Sequence, residues 1–423
     1  MATTFAPAPK STSPRHGLVR NFIGGDWVPG DGPTIEVHAP ATGEVIARTP
    51  LSTAAAVDAA VLVAQRALPA WSATPIKERV QVLFRYRTLL ERHMGELSAL
   101  IVEEHGKVEG EARAEILKAI ELTEFACALP QLATGEVLEV SRGVECRTEQ
   151  HPVGIVASIV PLSAARIAAL LAEAGLPPGV FSVVHGSHEA AGALCDHPGI
   201  AAITFVGSTS VAKAVYRRGT QNLKRVLALG GAKNHLIVMP DAEPEMTSSN
   251  VAASMSGCSG QRCMAASVMV AVGDTNAIVA RVVEHARTLV AGDTLGPVIS
   301  RDAKERIERY ITEAELAGAR VLLDGGGVDR ALEIEAASPF GNAAAVSTER
   351  GSSARLVAER ATAGMIGINV GVPVPREPFG FGGWGDSSFG VGNITGRGSI
   401  EFWTRTKKTT TKWNRDAGTN WMS

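Results

Sequence analysis

The chain has no excess of charge of either sign: 41 Lys and Arg stand against 43 Asp and Glu in 423 residues. That balance argues against a nucleic-acid groove or a polybasic membrane patch. Long apolar runs are missing too. None reaches the roughly 18 residues that a spanning helix requires, and stretches such as Phe181–Val184 and Val268–Val272 are strand-length. Cysteine is sparse and odd in number, at Cys127, Cys146, Cys195, Cys258 and Cys263, which suits a reducing compartment. No Cys-x-x-Cys occurs. His185, His188, Cys195 and His197 have no carboxylate or further histidine nearby on a regular element, so no metal site is expected. A Gly-x-Ser-x-Gly elbow is also lacking, which disfavours a serine hydrolase.

What is present suits a large globular protein: 45% of residues are hydrophobic, and the length allows two or three domains with a sizeable core. Residues 1–20 are rich in Ser, Thr, Pro and Ala and carry no acidic residue. Their weak amphipathic pattern predicts a disordered tail rather than a transit peptide. The compartment expected is the cytoplasm, with the mitochondrial matrix as the alternative.

Asn21–Pro29 reads as a short strand and turn. Apolar residues recur at helical spacing over Ala54–Trp71, Ile76–Glu104 and Lys107–Ala128. Val137–Gln150 alternates as a hairpin with one wet face, turning near Ser141–Gly143. From Gly154 the rhythm changes. Strands are predicted at Gly154–Val160, Phe181–His185, Ala201–Val206, Arg225–Leu229 and His235–Met239. A helix spans Ser163–Ala174, ended by Gly175, and another opens at Ser208 as N-cap and runs to Arg218. Strands alternating with helices imply a parallel sheet with covered faces. Further on, helices are predicted at Asp241–Ser256, Thr275–Val290 and Arg301–Ala317. Strands are predicted at Val268–Val272, Arg320–Leu323, Ala343–Val346, Met365–Val370 and, as an exposed edge, Glu401–Lys412. No internal repeat is visible.

The densest signal is Ser256–Ala265, where Cys263 sits in a Gly/Ser-rich loop after a helical pattern. Upstream lie Phe205-Val206-Gly207-Ser208-Thr209 and Leu229-Gly230-Gly231-Ala232-Lys233-Asn234. A turn that exposes backbone, a phosphate cradle and a thiol nucleophile, in this order, point to a dinucleotide-dependent enzyme working through a thioester.

With FVGSTS (205–210), LGGAKN (229–234), GQRCMAAS (260–267), SPFGNAAAV (338–346), GMIGINVGVPVP (364–375) and FGFGGWGDSSFG (379–390) in one chain, the sequence resembles the aldehyde dehydrogenase superfamily. Within it, the acylating, coenzyme A-dependent methylmalonate-semialdehyde dehydrogenase branch is the most similar. The resemblance spans about Asn21 to Trp413. It implies an α/β fold: an open parallel-sheet cofactor domain, an α/β catalytic domain and a small β oligomerisation element. Residues 21–136 and 151–228 would form the NAD-binding domain, 229–399 the catalytic domain, and 137–150 with 400–423 the oligomerisation element of a homodimer or homotetramer. Neither a nucleic-acid nor a membrane partner is implied.

By the same resemblance Cys263 is the nucleophile, and Cys258 is a small core residue. Gly207 and Ser208 match the cofactor turn, Leu229 and Gly230 flank the nicotinamide, and Val160 and Pro161 end the first cofactor strand. Arg262 and Lys118 grip a substrate carboxylate, although lysine lacks the planar fork of arginine. Lys107 is read as structural. Ala228 stands where hydrolytic relatives carry a general-base glutamate, which fits coenzyme A as acyl acceptor. Two family segments find no match. About thirty residues are lacking after Pro161, including an oxyanion asparagine and residues that hold the adenosine ribose. Roughly forty are lacking near Gly325–Asp329, including a glutamate for the nicotinamide ribose. A shortened cofactor domain is expected to be destabilised or rearranged. The alternatives are a non-catalytic subunit that keeps the oligomerisation surfaces and a hydrolytic aldehyde dehydrogenase.

Overall fold

The computed structural model describes residues 15–159, 164–290, 292–316 and 328–412. Val160, Pro161, the predicted strand Arg320–Leu323 and most of the N-terminal tail lie outside them.

Two hairpins open the described chain, β1 (Asn21–Ile23) with β2 (Asp26–Val28), and β3 (Thr34–His38) with β4 (Val45–Pro50). A helical block follows: α1 (Ala54–Ala73), α2 (Ile76–Arg92), α3 (Met94–His105), α4 (Glu109–Cys127) and the single turn α5 (Leu129–Leu132). Thr53 caps α1 through the Ala55 N–H. The helical pattern over 76–104 is broken at His93 (φ −97°, ψ 15°), where α2 stops and α3 starts. Arg166 explains the break: it bonds His93 Nδ1 at 3.1 Å and Glu96 at 2.6 Å, drawing the corner toward a later helix. α3 ends at Gly106 (φ +81°), a left-handed cap that favours glycine.

The hairpin β5 (Val137–Ser141) and β6 (Val144–Pro152) turns at Arg142-Gly143, as its alternation predicts. Next come β7 (Ile155–Ile159), α6 (Ala164–Glu173), α7 (His188–Asp196), β8 (Ile200–Val206), α8 (Thr209–Gln221) and β9 (Arg225–Leu229). β7, β8 and β9 pair in parallel, and the described sheet has the order β16-β9-β8-β7, where β16 is Ser388–Phe389 and runs antiparallel. Its core holds Ile203, Phe205, Ala212, Val226 and Ala228 beneath α1, α7 and α8. The predicted strand Phe181–His185 is not one. Val183 exchanges both backbone hydrogen bonds with Phe22 (2.7 and 2.9 Å), forming an isolated bridge to the N-terminal hairpin.

The second sheet starts four residues after β9. Its strands are β10 (Asn234–Val238), β11 (Ala266–Ala271), β13 (Ala343–Ser347) and β14 (Met365–Ile368), all parallel, in the order β11-β10-β13-β14. α9 (Pro244–Ser256), α10 (Asn276–Arg287), α11 (Arg301–Leu316), α12 (Val328–Ala336) and α13 (Gly351–Arg360) accompany it. β12 (Phe340–Gly341) pairs with β15 (Trp384–Gly385). The described chain closes with α14 (Gly396–Trp403) and β17 (Thr404–Lys412), so Glu401–Trp403 is helical and only the remainder of the predicted edge is strand. Arg225 Nη1 explains the switch: it donates to the carbonyls of Glu401, Phe402 and Thr404 at 3.3, 3.0 and 2.6 Å. β17 then pairs along its length with β6, giving the sheet β17-β6-β5. Among the described residues no helix is long and apolar enough to cross a membrane.

Candidate active site

α9 delivers the chain to Gly257, and a tight turn over Gly257–Gly260 follows. Cys258 and Ser259 there both adopt left-handed backbone, at φ +50° and +54°, which costs an L-residue about 1–2 kcal/mol. The surroundings hold the turn in place. The Cys258 N–H donates to Glu111 Oε1 at 2.7 Å, Ser259 Oγ donates to the Gly296 carbonyl, and Gln261 Nε2 donates back to Cys258 O at 3.0 Å. The Ile299 N–H donates to Gln261 Oε1 at 3.0 Å. Cys258 is half-buried inside this strained turn rather than in the core.

Cys263 lies beyond the turn with its side chain exposed. Its carbonyl accepts from Asn234 Nδ2 at 2.7 Å and from Asn342 Nδ2 at 3.1 Å. Asn234 also bonds Ala265 O at 2.9 Å and accepts the Ala343 N–H at 3.2 Å. These asparagines stand at the start of β10 and just before β13, so the N-terminal edge of the second sheet fixes the backbone at Cys263. Sequence reading gave neither of them a role, although both lie inside the quoted motifs. Desolvation pushes the Cys263 thiol above its ordinary pKa; the backbone N–H groups of Cys263 and Met264, then Arg262 and Lys107, pull the other way. Lys107 itself is ion-paired with Glu115.

At the carboxyl ends of β8 and β9 the residues of the two motifs come together. The Gly207 N–H donates to Leu229 O at 3.1 Å, and the Gly230 N–H to Ser387 O at 3.0 Å. Thr209 Oγ1 accepts the Gly231 N–H at 2.8 Å, and Ser387 Oγ donates to Gly231 O at 2.8 Å. A Cβ on Gly230 would stand 2.7 Å from Asp386 O, so glycine is needed for this close approach. Ser208 occupies the N-cap position, but its side chain makes no capping bond and lies 3.3 Å from Ser210 Oγ. The first N–H groups of α8 are therefore free of a capping side chain, an arrangement suited to an anion. The Leu229 side chain packs into the core beside Phe402, which leaves its backbone as the part that faces the turn. Ala228 is fully buried.

The two proposed carboxylate grips do not share a partner. Arg262 Nη2 lies 3.9 Å from Glu111 Oε1. Lys118, two turns further along α4 and so about 10 Å away along its axis, bonds Glu121 Oε1 at 3.1 Å and the Pro375 carbonyl at 3.3 Å. Glu121 also binds Arg376 and the Glu377 N–H. Burial pushes the Glu377 carboxyl up, with the Lys118 charge and the Gly396 N–H pulling the other way. Arg262 opens onto a cleft of about 590 Å³ lined by Val108, Glu111, Ser256, Gly257, Leu295 and Val370. His185, His188, Cys195 and His197 form no metal-binding group, and no such cluster exists among the described residues.

Known proteins resemble this chain over most of its length. The aldehyde dehydrogenase family model matches residues 27–162, 157–331 and 326–409. The first two stretches overlap at residues 157–162 and the last two at 326–331. Malonate-semialdehyde dehydrogenase 2 of Bacillus thuringiensis is 37% identical over 480 positions, covering 94% of this chain and 99% of the relative. Those positions outnumber the chain's 423 residues, so that relative carries residues with no counterpart here. Malonate-semialdehyde dehydrogenase 1 of Geobacillus kaustophilus is 37% identical, covering 95% and 99%. The crystal structure of methylmalonate-semialdehyde dehydrogenase from Oceanimonas doudoroffii superposes with a TM-score of 0.91 at 33% identity, covering 94% of this chain and 99% of that one. A proposed methylmalonate-semialdehyde dehydrogenase from Sinorhizobium meliloti, crystallised with NAD, gives 0.91 and 33%, covering 95% and 99%.

Proposed function

This chain belongs to the aldehyde dehydrogenase family, and from that premise we propose that it oxidises malonate semialdehyde or its methyl form to an acyl-coenzyme A, with NAD as oxidant. The observation that carries this reading is the pairing of Cys263, seated by Asn234 and Asn342, with Ala228 at the position where hydrolytic relatives hold a glutamate.

The Cys263 thiolate attacks the aldehyde carbon, forming a C–S bond and an oxyanion. NAD, when bound, supplies the acceptor for the hydride lost as that adduct collapses to a thioester. The residues present fit the pyrophosphate half of NAD: the uncapped start of α8 stands at the carboxyl ends of parallel strands. Gly207 and Ser208 would hold it, with the backbone of Leu229 and Gly230 toward the nicotinamide. Val160 and Pro161 belong to the same proposal. Ala228 cannot activate water, so the thioester waits for the thiol of coenzyme A. Arg262 would hold the substrate carboxylate, with Lys118 on the same helix as Glu111 adding positive charge at a distance; when the carboxylate leaves as carbon dioxide, the carbon it leaves takes up a proton from water. The sheet β17-β6-β5 would join subunits in a dimer or tetramer.

A rapid-mixing assay with malonate semialdehyde and NAD tests this. Without coenzyme A we expect one burst of NADH of about one per subunit, and with it sustained turnover. Sustained turnover without coenzyme A would sink the acylating assignment, and a Cys263→Ser protein that still turns over would remove the nucleophile. A second reading is a non-catalytic subunit, and it rests on the sequence expectation that the residues holding the cofactor riboses find no match. Absence of any burst from folded protein would establish it.

A further inference from the structure

Gly257 follows α9 with φ −52° and ψ 127°, a conformation open to any L-residue. Its main chain does not ask for glycine; its side-chain space does. A Cβ there would lie 1.2 Å from Arg262 Nη2, 2.3 Å from Cζ and 2.8 Å from Nε. The guanidinium occupies the room of the missing side chain. Arg262 Nε is buried with no hydrogen-bond partner. Its ion-pair partner, Glu111, stands 3.9 Å away, beyond hydrogen-bond range, and the same Glu111 oxygen already accepts the Cys258 N–H. All three residues line the cleft of about 590 Å³. A planar fork with an idle buried donor is built to receive a carboxylate.

We propose that Gly257 is a specificity-determining residue: it leaves the space through which Arg262 presents its fork to a carboxylate-bearing substrate, while Glu111 serves as the resting counter-charge that the substrate carboxylate replaces. This rests on the reading of Arg262 given above. The backbone stays compatible with alanine at 257, so the substitution acts by displacing the guanidinium.

Alkylation of Cys263 by iodoacetate and by iodoacetamide tests the proposal on the full chain. The two reagents share a reacting carbon and differ in the negative charge, and the ratio of their rates needs no NAD, coenzyme A or turnover. Peptide mass spectrometry assigns the modification to Cys263. We expect Gly257→Ala and Arg262→Ala each to lower the iodoacetate-to-iodoacetamide ratio by about tenfold, and the double variant to lower it no further. Glu111→Gln, which keeps an acceptor for the Cys258 N–H, should raise the ratio several-fold. A ratio unchanged in Gly257→Ala but lowered in Arg262→Ala overturns the role of Gly257, as do additive losses in the double variant. Should Gly257→Ala fail to fold, a Glu111→Gln ratio no higher than wild type overturns the proposal instead. An unchanged ratio in Arg262→Ala overturns the carboxylate grip itself. A protein that never oxidises a semialdehyde still gives this readout, so failure of the dehydrogenase reading is distinguishable.

Discussion

Cys263 is open to solvent at the surface, yet the protein atoms crowded round its thiol disfavour the charged form. Desolvation raises its thiol pKa, while its own N–H, that of Met264 and the charge on Arg262 favour the thiolate. The anion is the reactive form, so alkylation of Cys263 by neutral iodoacetamide should rise with pH through a midpoint above that of an ordinary cysteine. Removing Arg262 takes away a positive charge that stabilises the anion, so Arg262→Ala should move the midpoint higher still. A midpoint at or below the ordinary value, or one that Arg262→Ala moves downward, contradicts this account. At this scale the sequence disclosed the chemistry of a residue but not its supports. Cys263 is legible because its neighbours form a motif. Asn234 and Asn342 meet its carbonyl from 29 and 79 positions away, and no local pattern encodes such a meeting. Ser208 shows the converse: the residue type predicts a cap, and in the fold its hydroxyl turns to Ser210.

Arg225 shows how one side chain sets an element. Its Nη1 meets three carbonyls where α14 gives way to β17, which satisfies acceptors that a helix end leaves orphaned and places a cation at the negative end of the dipole. Arg225→Ala should lower stability to denaturant by about 1–3 kcal/mol, with Arg225→Lys recovering part of the loss. An unchanged denaturation midpoint would show that water replaces the guanidinium without cost. The alternation in Glu401–Lys412 read as one strand because helix formation at Glu401–Trp403 depends on a residue from β9. The break at His93 escaped detection for the same reason, since Arg166 comes from a helix more than seventy residues later. Phe181–His185 has strand composition, yet its backbone partner is the N-terminal hairpin. By contrast, the hairpin at Arg142-Gly143 and the parallel strands β8, β9 and β10 were legible, because alternation, turn residues and apolar runs are local properties.

Across the whole molecule, β9 passes into β10 over four residues, and those residues carry Gly230 and Gly231 between the cofactor turn and the asparagine that seats Cys263. The carboxyl ends of one sheet thus meet the amino ends of the other at the site. NAD bound there should stabilise the folded chain by mass action, about 2.7 kcal/mol at a hundredfold excess over Kd. Thermal unfolding followed over rising NAD should therefore give a Tm that climbs with concentration. A Tm indifferent to millimolar NAD in a folded protein would favour the non-catalytic reading.

The sequence by itself determined the family and the α/β alternation and singled out Cys263 for attention, because motif order, apolar period and a cysteine in a Gly/Ser loop survive without knowledge of any distant contact. The tertiary structure alone decided which side chains support that cysteine, that Lys118 and Arg262 bind different partners along α4, and that Gly257 is vacant for a guanidinium. These are questions of what fills a given volume, and volume is set only when segments far apart in the chain pack together.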